Sequence, residues 1–315
     1  MRQVGLRLLL LVPVLFLVSV ATFSITELLP GDPVIAILGE NAQPETIAAM
    51  RHELRLDKPL VSRYVDWAAA AMRGDLGRSI RSHQPVTDAF RERLPITLQL
   101  AITATLIGLI VAIPLGAWSA YRAGRFSDRL TTTTTFAMVG LPPFLMGLLL
   151  VYLLALWRQW FPVTGWVRIT EDFGQNLRHA FLPCLTLAFT EIAIYTQLLR
   201  ADMFATLQQD FVLAAKARGL PTRHILMREA LRPSSFSLIT LAGVNLGRLI
   251  GGTVIIEQVF ALPGVGRLVA QSIPQKDYPM LQGSVLILAT AYLLINTFVD
   301  LSYQFIDPRI RRGRS

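Results

Sequence analysis

Four stretches of this chain carry no Asp, Glu, Lys or Arg: Leu8–Ile25, Leu94–Tyr121, Leu130–Trp157 and Tyr278–Val299. Each reaches the roughly 18 to 20 residues that an apolar helix needs to cross a bilayer. Two further apolar stretches hold only isolated charges. Together they predict an all-α polytopic membrane protein with six transmembrane helices, at about Leu8–Leu28, Leu94–Tyr121, Leu130–Trp157, His179–Arg200, Pro233–Glu257 and Met280–Ile306. The first apolar run is longer than the roughly 7 to 15 residues of a signal-peptide core and no A-x-A site follows it, so it is expected to stay as a span. Residues 29–95 break the pattern, with nine basic and nine acidic residues in two helical-looking pieces, Pro44–Leu54 and Leu60–Arg73. The chain therefore divides into a first span (1–28), a polar helical lobe (29–93) and a membrane core (94–315).

Composition agrees: 53% of the 315 residues are hydrophobic and 16% are charged, against roughly 25% charged in a soluble chain. The net charge of +9 could suggest nucleic acid, but the charge-free runs exclude a nucleic-acid binder and a secreted enzyme. Basic residues in the short loops mark the cytoplasmic face. Residues 1–7, 121–130, 200–235 and 307–315 carry two, three, six and four of them, whereas 158–180 and 258–279 carry three and two. Both termini are thus expected in the cytoplasm and the 29–93 lobe outside.

Cys184, the single cysteine, excludes an intrachain disulfide and a thiolate metal cluster, and its apolar surroundings suggest a buried hydrophobe. The three lysines, Lys58, Lys216 and Lys276, complete no G-x-x-x-x-G-K-[ST] loop, so no ATPase of the phosphate-loop type is expected on this chain. His52, His83, His179 and His224 show no ligand spacing, and no metal site is expected.

The loop between the fourth and fifth spans, about 201–235, carries the densest information. Asp210 is placed to cap a helix over Phe211–Arg218, Gly219 to end it, and Pro221 to prevent its continuation. A second helical piece, Arg223–Leu231, is expected to end before Pro233. Ala214, Ala215 and Ala217 make one side of the first helix thin, and Lys216, Arg218 and Arg223 ring it with positive charge. Such a helix can slot into a groove on a partner protein or sit against anionic lipid.

This loop resembles the E-A-A-x-x-x-G loop of binding-protein-dependent ABC import permeases, with Leu213 in place of the Glu. Its ARGLPTRHILMREALRP is similar to the form found in the dipeptide, oligopeptide and nickel branch. PGDP, LRLDKPLVSRY (Leu54–Tyr64) and GDLGRSI (Gly74–Ile80) resemble that branch's N-terminal signature, as in its first permease subunit. LPITLQLA, IPLG, GLPPF and FPVTGW resemble its middle, and GGTVIIEQVFALPGVGRL (Gly251–Leu268), KDYPMLQG and FVDLSYQFIDPRIR its C-terminal third.

The resemblance implies a type I ABC importer permease, not catalytic by itself. It would pair with a second homologous permease subunit and receive peptides from an extracytoplasmic substrate-binding protein. Two ABC ATPase subunits would hold the ATP and Mg, leaving no cofactor on this chain. Asp210, Ala214, Ala215, Lys216, Arg218, Gly219 and Arg223 would form the coupling helix that the ATPases grip, with Ala214, Ala215 and Gly219 permitting close approach. Nickel or metal-chelate and glutathione permeases share this pattern. An ion-coupled secondary transporter is the rival from another class.

Ionisable groups at membrane depth face cavities or partners. Glu191, Arg248, Glu257 and Asp300 are the candidates, and Asn245, Arg248, Glu191 and Asp300 are those expected along the translocation pathway. Asn245, Gly247 and Gly251-Gly252 surround Arg248 with small and polar neighbours. Arg248 is therefore either a pathway cation that meets peptide carboxylates or an inter-helix partner of Glu191. Asp300 is placed to pair with Arg309 or to cap backbone. Pro142 and Pro143 predict a kink in the third span.

Overall fold

The computed structural model describes residues 2–28, 33–38, 42–53 and 57–306, with side chains for 11–24, 34, 35, 38, 42–52 and 57–299. Its elements are helices: α1 (Arg2–Leu28), α2 (Pro33–Leu38), α3 (Pro44–Glu53), α4 (Leu60–Met72), α5 (Val86–Tyr121), α6 (Phe126–Gly140) and α7 (Pro143–Leu150). These are followed by α8 (Phe173–Leu207), α9 (Asp210–Ala217), α10 (Thr222–His224), α11 (Leu231–Gly252), α12 (Val254–Val259), α13 (Val265–Ser272) and α14 (Tyr278–Ile306). The described residues contain no strand, only one isolated bridge between Arg78 and Pro85.

Among the described residues, three helices are long and apolar enough to cross a membrane, at Val86–Tyr121, Phe173–Leu207 and Tyr278–Val299. A fourth span results if α6 and Pro143–Trp157 are taken together across a bend of 102°. That bend corrects the expected kink. Leu141 and Pro142 each precede a proline, which disfavours their helical conformation, and both are extended, with ψ of 124° and 133°. Two consecutive missing amides then leave the helix nothing to continue on. The fifth apolar stretch is also divided: α11 ends at Gly252, α12 starts at Val254, and the Gly251-Gly252 pair lowers helix propensity at the break. The fourth begins earlier than expected, because the Asp172 carboxylate accepts the Gln175 N–H at 2.9 Å and caps α8.

The chain forms two compact units. One comprises residues 1–97 and 263–294. Leu76, Val86, Ala89, Leu268 and Met280 form its core. The buried Asp277 carboxylate accepts the Ser79 hydroxyl and, at 3.2 Å, the Ile80 N–H, tying the end of the polar segment to the turn before α14.

The second unit, residues 98–262 and 295–315, is built around α8. On α5, Ala104, Gly108, Ala112, Gly116 and Ala120 recur at every fourth position, and all are buried. This stripe lets the two helices approach closely, as packing in a membrane favours. A Cβ on Gly108 would lie 3.1 Å from both Glu191 Cβ and Tyr195 Cε2, and one on Gly116 3.1 Å from the Thr196 carbonyl oxygen. α6, α7 and α11 also pack on α8. Cys184 is fully buried, as its apolar surroundings suggest.

Candidate functional site: a displayed helix and a buried carboxylate

Gln209, not Asp210, caps α9. Its backbone is extended, no side chain caps the turn, and Asp210 is the first helical residue. There its charge still favours the positive end of the helix dipole. Gly219 ends the helix as expected: its φ of +72° is left-handed, and its N–H donates to the Lys216 carbonyl at 2.9 Å. A Cβ there would meet nothing within 4 Å, so the dihedral, not space, demands glycine.

Val212 and Ala215 are buried against Ile225, Leu207 and Leu220. This overturns the grouping of Ala215 with the docking surface: it points inward and anchors the helix. The outward positions are Phe211, Leu213, Ala214, Lys216, Ala217 and Arg218, with Arg223 exposed just beyond. The helix thus presents two large apolar side chains beside Ala214, within a basic rim.

The piece after α9 differs from expectation. It does not end before Pro233 but runs from α10 through a π-helical turn, Ile225–Ala230, directly into α11. Proline clashes with the carbonyl four residues back in an α-helix. The wider π turn shifts the Glu229 carbonyl, so Pro233 is accommodated in the first turn of α11. The displayed helix is therefore tethered closely to a long helix at both ends, to α8 through the two-residue turn Gln208–Gln209 and, after the four residues Arg218–Pro221, to a continuous helical run into α11.

Of the four ionisable candidates, Glu191 and Arg248 meet, and Asn245 joins them. Glu191 is 1% exposed; its Oε2 accepts Asn245 Nδ2–H at 2.8 Å, and its Oε1 accepts Arg248 Nη2–H at 3.2 Å. Arg248 and Glu191 are thus an inter-helix pair. The Arg248 side chain is nevertheless 59% exposed, in an exposed row with Val244, Gly251, Gly252 and Ile255. Cβ atoms on Gly251 and Gly252 would meet nothing within 4 Å. Glu257 is buried apart from this group and accepts the Thr253 hydroxyl at 2.9 Å. Asp300 and Arg309 lie outside the residues whose side chains are described.

A second ion pair was not expected from the sequence. The buried Asp128 accepts Arg200 Nε–H at 2.5 Å and Nη2–H at 2.7 Å, the Ser119 hydroxyl at 2.6 Å and the Gly124 N–H at 2.8 Å. It fastens the α5–α6 turn to α8, seven residues before α8 ends. The available signal was a lone acid among Arg122, Arg125 and Arg129. In the threonine run of α6, Thr131 and Thr135 return their hydroxyls to helix carbonyls at 2.9 Å.

Apolar helices long enough to cross a bilayer, a buried carboxylate near the middle of α8 paired with an arginine of α11, and a short helix held out on a loop fit a polytopic membrane protein. The chain belongs to the family described as binding-protein-dependent transport system inner membrane component, whose profile matches residues 112–312; the profile of that family's N-terminal part matches residues 1–101. It is an integral inner-membrane permease subunit of an ABC importer, of the kind that works with ATPase and binding-protein partners.

A relative from Brucella abortus (strain 2308), named a peptide transport system permease protein, is 38% identical over 300 residues, 95% of this chain and 96% of its own. A Sinorhizobium fredii protein named a peptide ABC transporter permease is 34% identical over 305 residues, 97% of each chain. The glutathione transport system permease protein of Escherichia coli (strain K12) matches over the same 305 residues at 34% and 97% of each.

Proposed function

We propose that this chain and a second homologous permease subunit form the translocation pathway of an importer for di- or oligopeptides. Two ATPase subunits grip α9 and an extracytoplasmic binding protein delivers the peptide. The observation that carries this reading is α9 itself: Phe211, Leu213 and Ala214 face outward within the basic rim of Lys216, Arg218 and Arg223, on a base fixed by Val212, Ala215 and Ile225. A helix tethered by short turns to two long helices, with Val212 and Ala215 packed on Ile225, can convert movement of a docked motor into movement of the bundle. Both termini and α9 lie in the cytoplasm, as the loop charges indicate. This chain hydrolyses no ATP and holds no cofactor; ATP and Mg sit on the ATPases.

Arg248 lines the pathway, held in place by the buried Glu191 and Asn245. An arginine at membrane depth with more than half its side chain exposed is costly against lipid, whereas a water-filled pathway hydrates it. The open row over Gly251 and Gly252 supplies that space. Glutathione is the second reading, favoured by the Escherichia coli relative named for it; nickel or a metal chelate is a third within the same family.

The test is reconstitution of the complete importer in vesicles, with ATP-driven uptake of a labelled dipeptide, glutathione and nickel measured side by side. Ala214→Cys should cross-link to an ATPase subunit engineered with a cysteine in its docking cleft. Uptake by this chain alone under an ion gradient would establish a secondary transporter and defeat the proposal.

A further inference from the structure

We propose that α4 lies within the membrane leaflet at the C-terminal end of α1, with its outer edge against lipid acyl chains, and not in an aqueous lobe.

At 3.6 residues per turn, the apolar positions of α4 form two adjoining edges. Leu60, Tyr64, Trp67 and Ala71 make the first, and Val61, Val65, Ala68 and Met72 the second, while Ser62, Asp66 and Arg73 lie opposite. Tyr64 and Trp67, the middle of the first edge, rest on α1, while Ala71 packs against the core of Leu76 and Val86. Tyr64 Oη is 2.9 Å from Ser19 Oγ, the Tyr64 ring lies 5.5 Å from that of Phe23 and 6.4 Å from that of Phe16, and Trp67 is 5.8 Å from Phe23. The second edge touches little: Val61 is 71%, Val65 56% and Met72 84% exposed. An apolar arc twice as wide as its contact with α1 is the pattern of a helix at a membrane boundary.

Depth identifies what covers that edge. The charge-free run of α1, Leu8–Ile25, is centred between Phe16 and Leu17. At about 1.5 Å per residue Ser19 lies roughly 4 Å from that centre, and the hydrocarbon edge is roughly 15 Å away. The remaining distance, roughly 11 Å by the same measures, exceeds the length of a tyrosine side chain. Tyr64 therefore cannot reach Ser19 from water, and tilting α1 only brings Ser19 nearer the centre.

The neighbouring surface of α1 is also exposed and large-chained, at Val12, Phe16 and Leu17, and the outer edge of α4 continues it. Helix partners within a membrane favour small residues at their contacts, as the buried stripe of α5 shows. Val61, Val65 and Met72 have the opposite character, which selects acyl chains over a second protein. Lys58 and Asp66 pair at 3.3 Å on the polar side, where headgroups and water meet the helix.

The test uses the complete importer in lipid nanodiscs, with Cys184 replaced by serine and single cysteines at 61, 62, 65, 66 and 72 carrying nitroxide labels. Collision with oxygen, which concentrates in lipid, is compared with collision with a water-soluble nickel chelate. Labels at 61, 65 and 72 should favour oxygen several-fold over those at 62 and 66. Preference for the nickel chelate at all five positions would return α4 to the aqueous lobe. Protection of 61, 65 and 72 from both reagents would place a protein partner there. Either result overturns the proposal.

Discussion

Replacing Arg248 with alanine strips Glu191 of its cationic partner and leaves a carboxylate in the bundle interior still held by Asn245 Nδ2 at 2.8 Å. Removing one member of a buried pair costs about 3–5 kcal/mol. Because the Arg248 side of this pair is largely exposed, the lower end applies, about 3 kcal/mol after screening. Glu191→Gln is milder: glutamine keeps the shape and accepts from Asn245, and the exposed guanidinium remains hydrated, for a loss of about 1 kcal/mol. The double variant, Arg248→Ala with Glu191→Gln, buries no charge and should also lose only about 1–2 kcal/mol, less than Arg248→Ala alone. At roughly 2.1 cal/mol/K per residue of unfolding entropy, 1 kcal/mol corresponds to roughly 1.5 °C here. Arg248→Ala should therefore lower Tm by about 4–5 °C, and adding Glu191→Gln should recover roughly a third to two thirds of that. Tryptophan fluorescence of the complete importer in nanodiscs, heated as a set of four, reads the cycle. A double variant as unstable as the sum of the singles would show that no buried charge is being relieved, and the reasoning would fail.

Three other substitutions separate docking from folding. Ala214→Trp should leave Tm unchanged and abolish peptide-stimulated ATPase activity, whereas Ala215→Trp, forced into the Val212–Ile225 contact, should lower the yield of folded protein; chromatography with activity assays distinguishes them. Gly108→Ala drives a Cβ to 3.1 Å from Glu191 and Tyr195 and should cost about 1–3 kcal/mol in thermal unfolding, while Gly251→Ala, with nothing within 4 Å, should be nearly neutral. Asp128→Asn weakens the bidentate bond to Arg200 beside α9 and should cost about 2–3 kcal/mol, measured as a fall in Tm, together with ATPase activity less responsive to peptide.

Element by element, the helices were legible wherever the signal is local. Charge-free runs mark α5 and α14 because a bilayer excludes charge, α8 shows as an apolar run with isolated charges, and Gly219 ends α9 because its left-handed backbone favours glycine. The two helices of the polar segment, α3 and α4, fall at Pro44–Glu53 and Leu60–Met72, within a residue of their expected limits. The every-fourth small residues of α5 lie on one face by spacing, but it took the packed helices to show that they meet α8. Ala215 was misassigned because composition makes an alanine small without saying which side of a short helix is covered.

By itself, the amino-acid order determined the helical class, the membrane character and the family, all of which depend on hydropathy and short motifs along the chain. Only the packed molecule decided that Glu191 meets Arg248 across 57 residues, that Asp128 holds Arg200, and that the third apolar run folds back through 102°. Which faces of two helices meet depends on their mutual rotation and crossing, and those are set by side chains interlocking from distant parts of the chain.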